Sequence, residues 1–380
     1  MKFTCSREDF SRGIAAVQRV VSSRGPLPIL SNLLLATDGS DLKITATDLD
    51  VGIEATVPAR VRVEGAVTLA ARQLAEIVNK LPNSEIELSV GDDGAQATVL
   101  CERSRFVLPS LPADEFPKLP VSGDEGATIT LPAQELARGI RQTAFAASKD
   151  DKSVISGLLL RLADSRLEVV ATDGYRLAWW RWEGAGAGNL EVIVPARAMN
   201  ELARLLGTTS NRGESEDADG GKAMTGTVTV GKAGNQILFS VGDRFLVSRI
   251  IDGSFPNFAQ IIPPSFKHEV RCDRLILLSA VERAGIMASE REGKAIRLGF
   301  SSGDLRLWAK ASELGEVDEH LPVEFDGELL EIAFNSRYLE EALKALDTDT
   351  VVFRLNGSML AALISGDDLL YSSLLMPIRS

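Results

Sequence analysis

Two hydrophobic periodicities alternate along the chain. Phe10, Ile14, Val17 and Val21 recur at helical spacing behind Ser6, with Asp9 three positions after it. A Ser followed three residues later by an acidic side chain marks a helix N-terminus, so an amphipathic helix is predicted from about Ser6. Leu42-Lys-Ile-Thr-Ala-Thr47 alternates with period two, the pattern of a strand with one buried face.

The same sequence of elements recurs three times, and repeats of this kind define the architecture before any local detail does. Asn32 to Asp48 and Gly157 to Asp173 both run from an apolar strand through a polar turn to a returning strand ending in Ala-Thr-Asp; Ala295 to Ala309 has the same strand, turn and return. A second signature follows each time: Ala70-Ala-Arg72, Pro195-Ala-Arg197 and Asn335-Ser-Arg337, each opening a predicted helix. The motif arginines lie 125 and then 140 residues apart. The excess falls in a Ser-, Gly-, Glu- and Asp-rich stretch at about 208–225, with little to bury, which reads as a surface-loop insertion. The fold class expected is α+β: three similar units at 1–122, 123–264 and 265–380, each with two helices packed on about eight antiparallel strands.

Composition narrows the chemistry. The chain has 380 residues, 45% of them hydrophobic and 25% charged, an ordinary globular balance. Its three cysteines, Cys5, Cys101 and Cys272, are far apart, and its two histidines, His268 and His320, are isolated. Neither a disulfide framework, a zinc knuckle nor a Ser-His-Asp triad is expected. The N-terminus has no secretory apolar run and no segment is long enough to span a membrane, so a cytoplasmic location is expected. Gly231-Lys232 and Gly293-Lys294 lack the upstream glycine spacing of a phosphate-binding loop, and Gly184 to Gly188 precedes a strand instead of a helix. Asp48, Asp50 and Asp173 suggest a carboxylate site, but they end repeated strands and read first as turn residues. No cofactor or metal is expected.

The net charge of −12 argues against a nucleic-acid partner only as a surface average. Cations recur on the predicted helices: Arg72 with Lys80, Arg197 with Arg204, Arg337 with Lys344, and in the first helices Arg12 with Arg19, Arg138 with Arg141, and Arg274 with Arg283. A seven-residue spacing is nearly two turns, so two of the second-helix pairs each line one face. Aligned in three units, such faces suit phosphate contact without base readout, with the acidic run Glu313 to Glu319 lying elsewhere. The C-terminal segment Leu374-Leu-Met-Pro-Ile-Arg379 is unusually apolar and reads as a final strand or as the wall of a peptide groove.

Several segments taken in order carry a resemblance: Thr172-Asp-Gly-Tyr-Arg-Leu177, Arg103-Ser-Arg-Phe-Val-Leu108, Leu111-Pro-Ala-Asp-Glu-Phe-Pro117, Asp252-Gly-Ser-Phe-Pro256, Phe334-Asn-Ser-Arg-Tyr338 and the Met-Pro-Ile-Arg tail. Together they resemble the bacterial DNA sliding clamps, the beta subunits of the replicative DNA polymerase. The resemblance spans the whole chain. It implies a non-catalytic processivity factor: a head-to-tail homodimer closing six domains into a ring around double-stranded DNA, helices inside and sheets outside.

It also implies a cleft for partner peptides of the polymerase catalytic subunit, the clamp loader and repair polymerases. The matching positions are Ile155, Thr172, Gly174, Tyr175, Arg176, Leu177, Pro256, Ile261, Asn335, Tyr338, Met359, Leu374, Leu375, Met376, Pro377, Ile378 and Arg379. The chain departs at Gln260 and Tyr175, where relatives often carry Arg and His. DNA contacts implied are Arg24, Arg72, Lys80, Arg138, Arg141, Lys149, Arg197, Arg204, Arg337 and Lys344. At the ring interface Phe106 and Leu108 of one chain are expected to face Ile286 and Met287 of the other, with Arg103 and Arg105 meeting the acidic run. Two other classes remain open on the residues alone: a carboxylate hydrolase at Asp48 or Asp173, and a monomeric interaction scaffold.

Overall fold

A computed structural model describes residues 1–22, 27–91, 94–120, 128–185, 188–208, 226–289 and 293–378. The insertion expected at about 208–225 lies almost wholly outside them, as do Arg24 and Arg379. Six helices are described: α1 (Arg7–Val17), α2 (Ala71–Lys80), α3 (Ala133–Thr143), α4 (Ala196–Thr208), α5 (Arg274–Ile286) and α6 (Ser336–Lys344). Every pairing between described strands is antiparallel. Helices α2, α4 and α6 begin at the three Ala-Arg or Ser-Arg signatures.

The chain divides into two compact units, Met1–Gln134 with Arg204–Ile250, and Glu135–Ala203 with Ile251–Ser380. The first unit holds a thirteen-stranded sheet. Within it, Arg244–Arg249 pairs with Val51–Pro58, joining strands from the first and second sequence repeats in one ladder. Ser6 caps α1 as its spacing requires: the Ser6 hydroxyl accepts from the Asp9 amide at 3.0 Å. Phe10, Ile14 and Val17 are buried against the sheet. Gly13 allows that approach, since a Cβ there would sit 2.7 Å from Ile44 Cδ1 and 2.8 Å from Val57 Cγ1.

The predicted helix is longer than the observed one. After Val17 the chain tightens into a 3₁₀ turn, Gln18–Val20, which leaves Val21 half-buried beyond the helix. Arg204 caps this end: its guanidinium donates to the carbonyls of Ala15 and Ala16, at 3.4 and 2.5 Å. These are last-turn carbonyls, where a cation is favoured.

The second unit holds an eight-stranded sheet in the order Leu190–Pro195, Gly157–Ala163, Arg166–Thr172, Arg176–Glu183, Tyr371–Leu375, Ala362–Ser365, Thr350–Leu355, His268–Asp273. The C-terminal segment is its fifth strand, hydrogen-bonded between the second and third repeats. A four-stranded sheet, Gly315–Pro322, Asp304–Ala311, Ala295–Ser301 and Leu330–Asn335, completes the unit. Helices α5 and α6 pack on each other. Both carry side-chain caps: Asp273 accepts from the Ile276 amide, and Asn335 accepts from the Arg337 and Tyr338 amides. Gly139 lets α3 lie on the Trp180 ring, 2.5 Å from where a Cβ would stand.

Candidate functional site

In the second unit, the turn between the strands Arg166–Thr172 and Arg176–Glu183 is locked by its own polar atoms. Thr172 Oγ1 donates to the Arg176 carbonyl at 2.6 Å and accepts from the Gly174 amide at 3.1 Å. Asp173 Oδ1 accepts from the Tyr175 and Arg176 amides, and its Oδ2 accepts from Arg176 Nε at 3.0 Å. Gly174 has φ +88°, a conformation L side chains rarely adopt. Both carboxylate oxygens of Asp173 are thus engaged in holding the turn. Asp48 behaves alike in the other unit, accepting from the Asp50 and Val51 amides. The turn-residue expectation for these aspartates describes what they do.

Arg176 is the hub. It pairs with Asp173 and with Glu341 of α6, donates to the Phe145 carbonyl at 2.6 Å, and lies over the rings of Tyr338 and Phe145. Burial pushes the Glu341 carboxyl up, but hydrogen bonds from Arg176 and Arg337 outweigh it and leave the group below the usual glutamate value. Burial, with the nearby Asp173 charge, pushes the Tyr338 hydroxyl up.

Tyr371–Leu375 runs beside this turn. Leu374 stands opposite Leu177 and Leu375 opposite Arg176; the ladder continues as Met376 N–H donates to the Tyr175 carbonyl at 3.0 Å. The Ile378 amide then donates to the Ala333 carbonyl at 2.8 Å. Period-two alternation puts Leu177 and Leu374 on one face, where they form an apolar cluster with Leu159, Val170, Phe258 and Leu363. Around it, the side chains of Tyr175, Ile261, Met359 and Met376 are 46–67% exposed. Such a concentration of large exposed apolar groups beside an ordered apolar floor is a docking surface in form.

The predicted cleft residues therefore divide. Gly174, Tyr175, Pro256, Ile261, Met359 and Met376 are exposed, while Ile155, Asn335, Tyr338, Pro377 and Ile378 are half-buried. Thr172, Arg176, Leu177, Leu374 and Leu375 are buried: Arg176 and Thr172 fix the turn, and Leu375 faces the opposite side of the sheet from Leu374. Asn335 is engaged as the α6 cap and donates to the Gly293 carbonyl at 2.9 Å. Sequence reasoning missed Trp179, Arg181, Ile262 and Phe266, which line an adjoining groove of about 320 Å³. The alternation Leu177, Trp179, Arg181 along one strand was the available signal.

The cations divide too. Lys80, Arg141, Lys149 and Arg197 are exposed. Arg72 pairs with Glu76, Arg337 with Glu341, and Lys344 with Glu282 and Glu340, all near the surface. Arg19 and Arg72 line a cleft of about 510 Å³ with Gln18, Ser31 and Asn79. Two expected contacts turn inward instead. Arg138 pairs with Asp347 at 2.8 Å and with Asp368, its side chain 22% exposed, and Arg204 caps α1. Arg12 pairs with Asp9, and Arg19 sits past the end of α1, so those two do not share a helix face. The acidic run is not segregated from the helices either, for Glu319 accepts from Arg283 of α5 at 2.6 and 2.9 Å.

Two strands that carry predicted interface residues have unpaired backbone along much of one side. Ser104–Leu111 pairs with Gln96–Cys101 along most of its length, and with Ala66–Ala70 only at Ser110 and Leu111. Phe106 and Val107 are exposed on it, with Arg103 and Arg105, whereas Leu108 is buried in the fold. Gly315–Pro322 ends the four-stranded sheet of the other unit and carries Glu316, Asp318 and Glu319. Arg283 of α5 reaches Glu319 on this strand, and at the end of the same helix Ile286 is 70% exposed and Met287 half-buried.

Family models of the DNA polymerase III beta subunit match residues 1–120 (N-terminal domain), 130–257 (central domain) and 259–379 (C-terminal domain). The chain is 37% identical over 373 residues to the beta sliding clamp of Synechococcus elongatus, covering 96% of this chain and 95% of that one. It is 33% identical over 386 residues, the full length of both, to that of Pseudomonas putida. The crystal structure of the Pseudomonas aeruginosa sliding clamp bound to griselimycin superposes over the full length of both chains, with a TM-score of 0.91 at 32% identity. The chain belongs to the family of DNA polymerase III beta subunits, the beta sliding clamps. As a member it is a non-catalytic accessory subunit of a DNA polymerase, a processivity factor in DNA replication.

Proposed function

We propose that two copies of the chain close head to tail into a ring around duplex DNA, and that the cleft of the second unit tethers partners by short peptides. The observation that carries the ring is a pair of unlike strand sides whose backbone is left unpaired along much of their length. One carries Arg103, Arg105, Phe106 and Val107; the other carries an acidic run near the apolar end of α5. Unlike sides are complementary head to tail, and a heterologous contact that closes leaves neither free. Leu108 is buried in the fold, so Phe106, Val107, Ile286 and Met287 carry the apolar contact.

The ring holds DNA by topology, with phosphate contacts weak enough to permit sliding. Lys80, Arg141, Lys149 and Arg197 serve as the principal exposed cations, joined by Arg337 and, when they exchange surface carboxylates for phosphates, by Arg72 and Lys344. Exposed pairs of this kind are worth little, so the exchange is cheap. Arg24 belongs to the same set by its place in the sequence.

In the cleft, Leu177 and Leu374 form the floor, and Tyr175, Ile261, Met359 and Met376 close on a bound peptide. The occupants are segments of the polymerase catalytic subunit, the clamp loader and repair polymerases. A tethered polymerase stays at high effective concentration near its primer end. The three repeats form domains at 1–122, 123–264 and 265–380, a division supported by the recurrence of the helix signature at α2, α4 and α6. Among the described residues no helix is long and apolar enough to cross a membrane, and a role in bacterial DNA replication supports a cytoplasmic location.

Primer extension tests this function. With clamp loader, ATP and cognate polymerase, adding the chain lengthens products made in a single binding event. Products of unchanged length, with a loader known to be active, would overturn it.

A further inference from the structure

We propose that the groove beyond Trp179 takes the residues flanking a cleft-bound partner peptide, and that it selects an apolar side chain next to a carboxylate. This deepens the tethering role assigned to the cleft and rests on it. Leu177, Trp179 and Arg181 alternate onto one face of their strand, and Ser372 stands opposite Trp179 as Leu374 stands opposite Leu177. The cleft floor thus continues without a break for about four more residues, roughly 13 Å at strand spacing. There it opens into the groove of about 320 Å³, whose apolar lining includes Trp179, Ile262, Phe266 and Leu363.

The groove is preformed. Trp179 Nε1 donates to Glu168 Oε1 at 3.1 Å, and its ring meets Phe258 edge-on at 5.4 Å between centroids, so little ordering remains to be done on binding. Its charge is equally specific. The Arg181 guanidinium stacks 4.6 Å over Trp179 and donates from Nε to the Leu369 carbonyl at 3.2 Å. Among the described residues no carboxylate lies within ion-pair distance of it, which leaves its two terminal nitrogens for a ligand. Arg354 adds a second guanidinium, held by Glu269 and by Ser365 Oγ. Glu168 stands opposite Arg181 but is taken by Arg161 and Trp179, and Glu269 balances Arg354, so Arg181 is the cation left for a ligand at the end of the apolar floor. A carboxylate answers that field, and a planar guanidinium binds one with two parallel hydrogen bonds.

The test uses fluorescein-labelled peptides in anisotropy with the full chain. The core probe is the shortest segment of the cognate polymerase catalytic subunit that binds. Extended probes add four residues at either end, containing either Phe-Asp or Ala-Asn. The Phe-Asp extension at one end is expected to bind about tenfold tighter than its Ala-Asn counterpart. Arg181→Glu is expected to erase that gain while leaving the core affinity unchanged, which also reports that the variant is folded; Arg181→Lys is expected to keep part of it. Equal binding of the two extensions at both ends, or a gain that survives Arg181→Glu, overturns the proposal while the cleft stands. If no polymerase segment binds, the tethering role itself fails, and this proposal falls with it.

Discussion

Arg176 lies across the ring of Tyr338, its Cζ 4.2 Å from the ring centroid. The stack ties the turn of one strand pair to the first residues of α6, and Arg176 is buried with two carboxylates around it. Truncating the arginine leaves Asp173 and Glu341 without their cation. Arg176→Ala is therefore expected to destabilise the fold by about 2–3 kcal/mol and to abolish peptide binding, because the turn presenting Tyr175 loses its anchor. Arg176→Lys restores charge without the planar fork and is expected to recover only part of the stability. Urea titration followed by tryptophan fluorescence, with Trp179 and Trp180 close by, measures both.

The same hub makes stability depend on pH. Glu341 has a folded-state pKa below the ordinary glutamate value of 4.5. A depressed carboxylate contributes fully above its unfolded pKa, and the contribution is lost as pH falls through the folded value. Stability is expected to decline below about pH 4.5. Glu341→Gln is expected to be less stable at neutral pH and to lose less on acidification. Denaturation midpoints between pH 3 and 7 decide the matter; parallel curves for the two proteins would remove Glu341 from the account.

Deleting Met376–Ser380 removes the Met376 amide bond to Tyr175 and the Ile378 amide bond to Ala333, but leaves the strand Tyr371–Leu375 in place. Partner-peptide binding is expected to vanish while the oligomeric state is kept. Sedimentation and anisotropy on one preparation check the two halves together. Retained binding would move the site elsewhere.

Phe106 and Leu108 are expected to behave differently despite their proximity. Phe106→Ala removes an exposed side chain and should weaken association by about 2 kcal/mol with little change in the unfolding midpoint. Leu108→Ala creates a cavity in the fold and should cost about 2–3 kcal/mol of protomer stability instead. Ile286→Asp places a charge in the apolar contact and should yield a 40.9 kDa protomer in sedimentation. A dimer unmoved by both Phe106→Ala and Ile286→Asp would rule out this interface.

Salt dependence separates the outward cations from the inward ones. Lys80→Glu or Arg141→Glu should each lower the slope of log affinity for duplex DNA against log salt by about one. Arg138→Ala, whose guanidinium is held by Asp347 and Asp368, should leave that slope unchanged and lower stability.

Much of this was legible in the sequence where one physical rule acts locally. Ser6 and Asp9 announced the α1 cap, and the Ala-Arg and Ser-Arg signatures located three helix starts, because capping and periodicity are short-range. The repeat order exposed the α+β architecture for the same reason. What the sequence hid was long-range. Arg204 and Arg138 carry the same charge and local spacing as Arg197 and Arg141; only the carbonyls of Ala15 and Ala16, or Asp347 and Asp368, turn them inward. Leu108 shares a strand face with Phe106, yet only Leu108 is covered, and that depends on residues distant in the chain. Trp179 and Arg181 belong to an alternation that becomes a groove only when Ile262, Phe266 and Arg354 arrive from elsewhere in the chain.

The central claim is topological linkage to DNA. Loading the protein onto nicked circular duplex with clamp loader and ATP, washing in high salt and then linearising the circle measures it directly. Retention on the circle with release on linearisation is the predicted result. Loss in high salt from circular and linear DNA alike, with an active loader, would mean ordinary electrostatic binding and would contradict the ring.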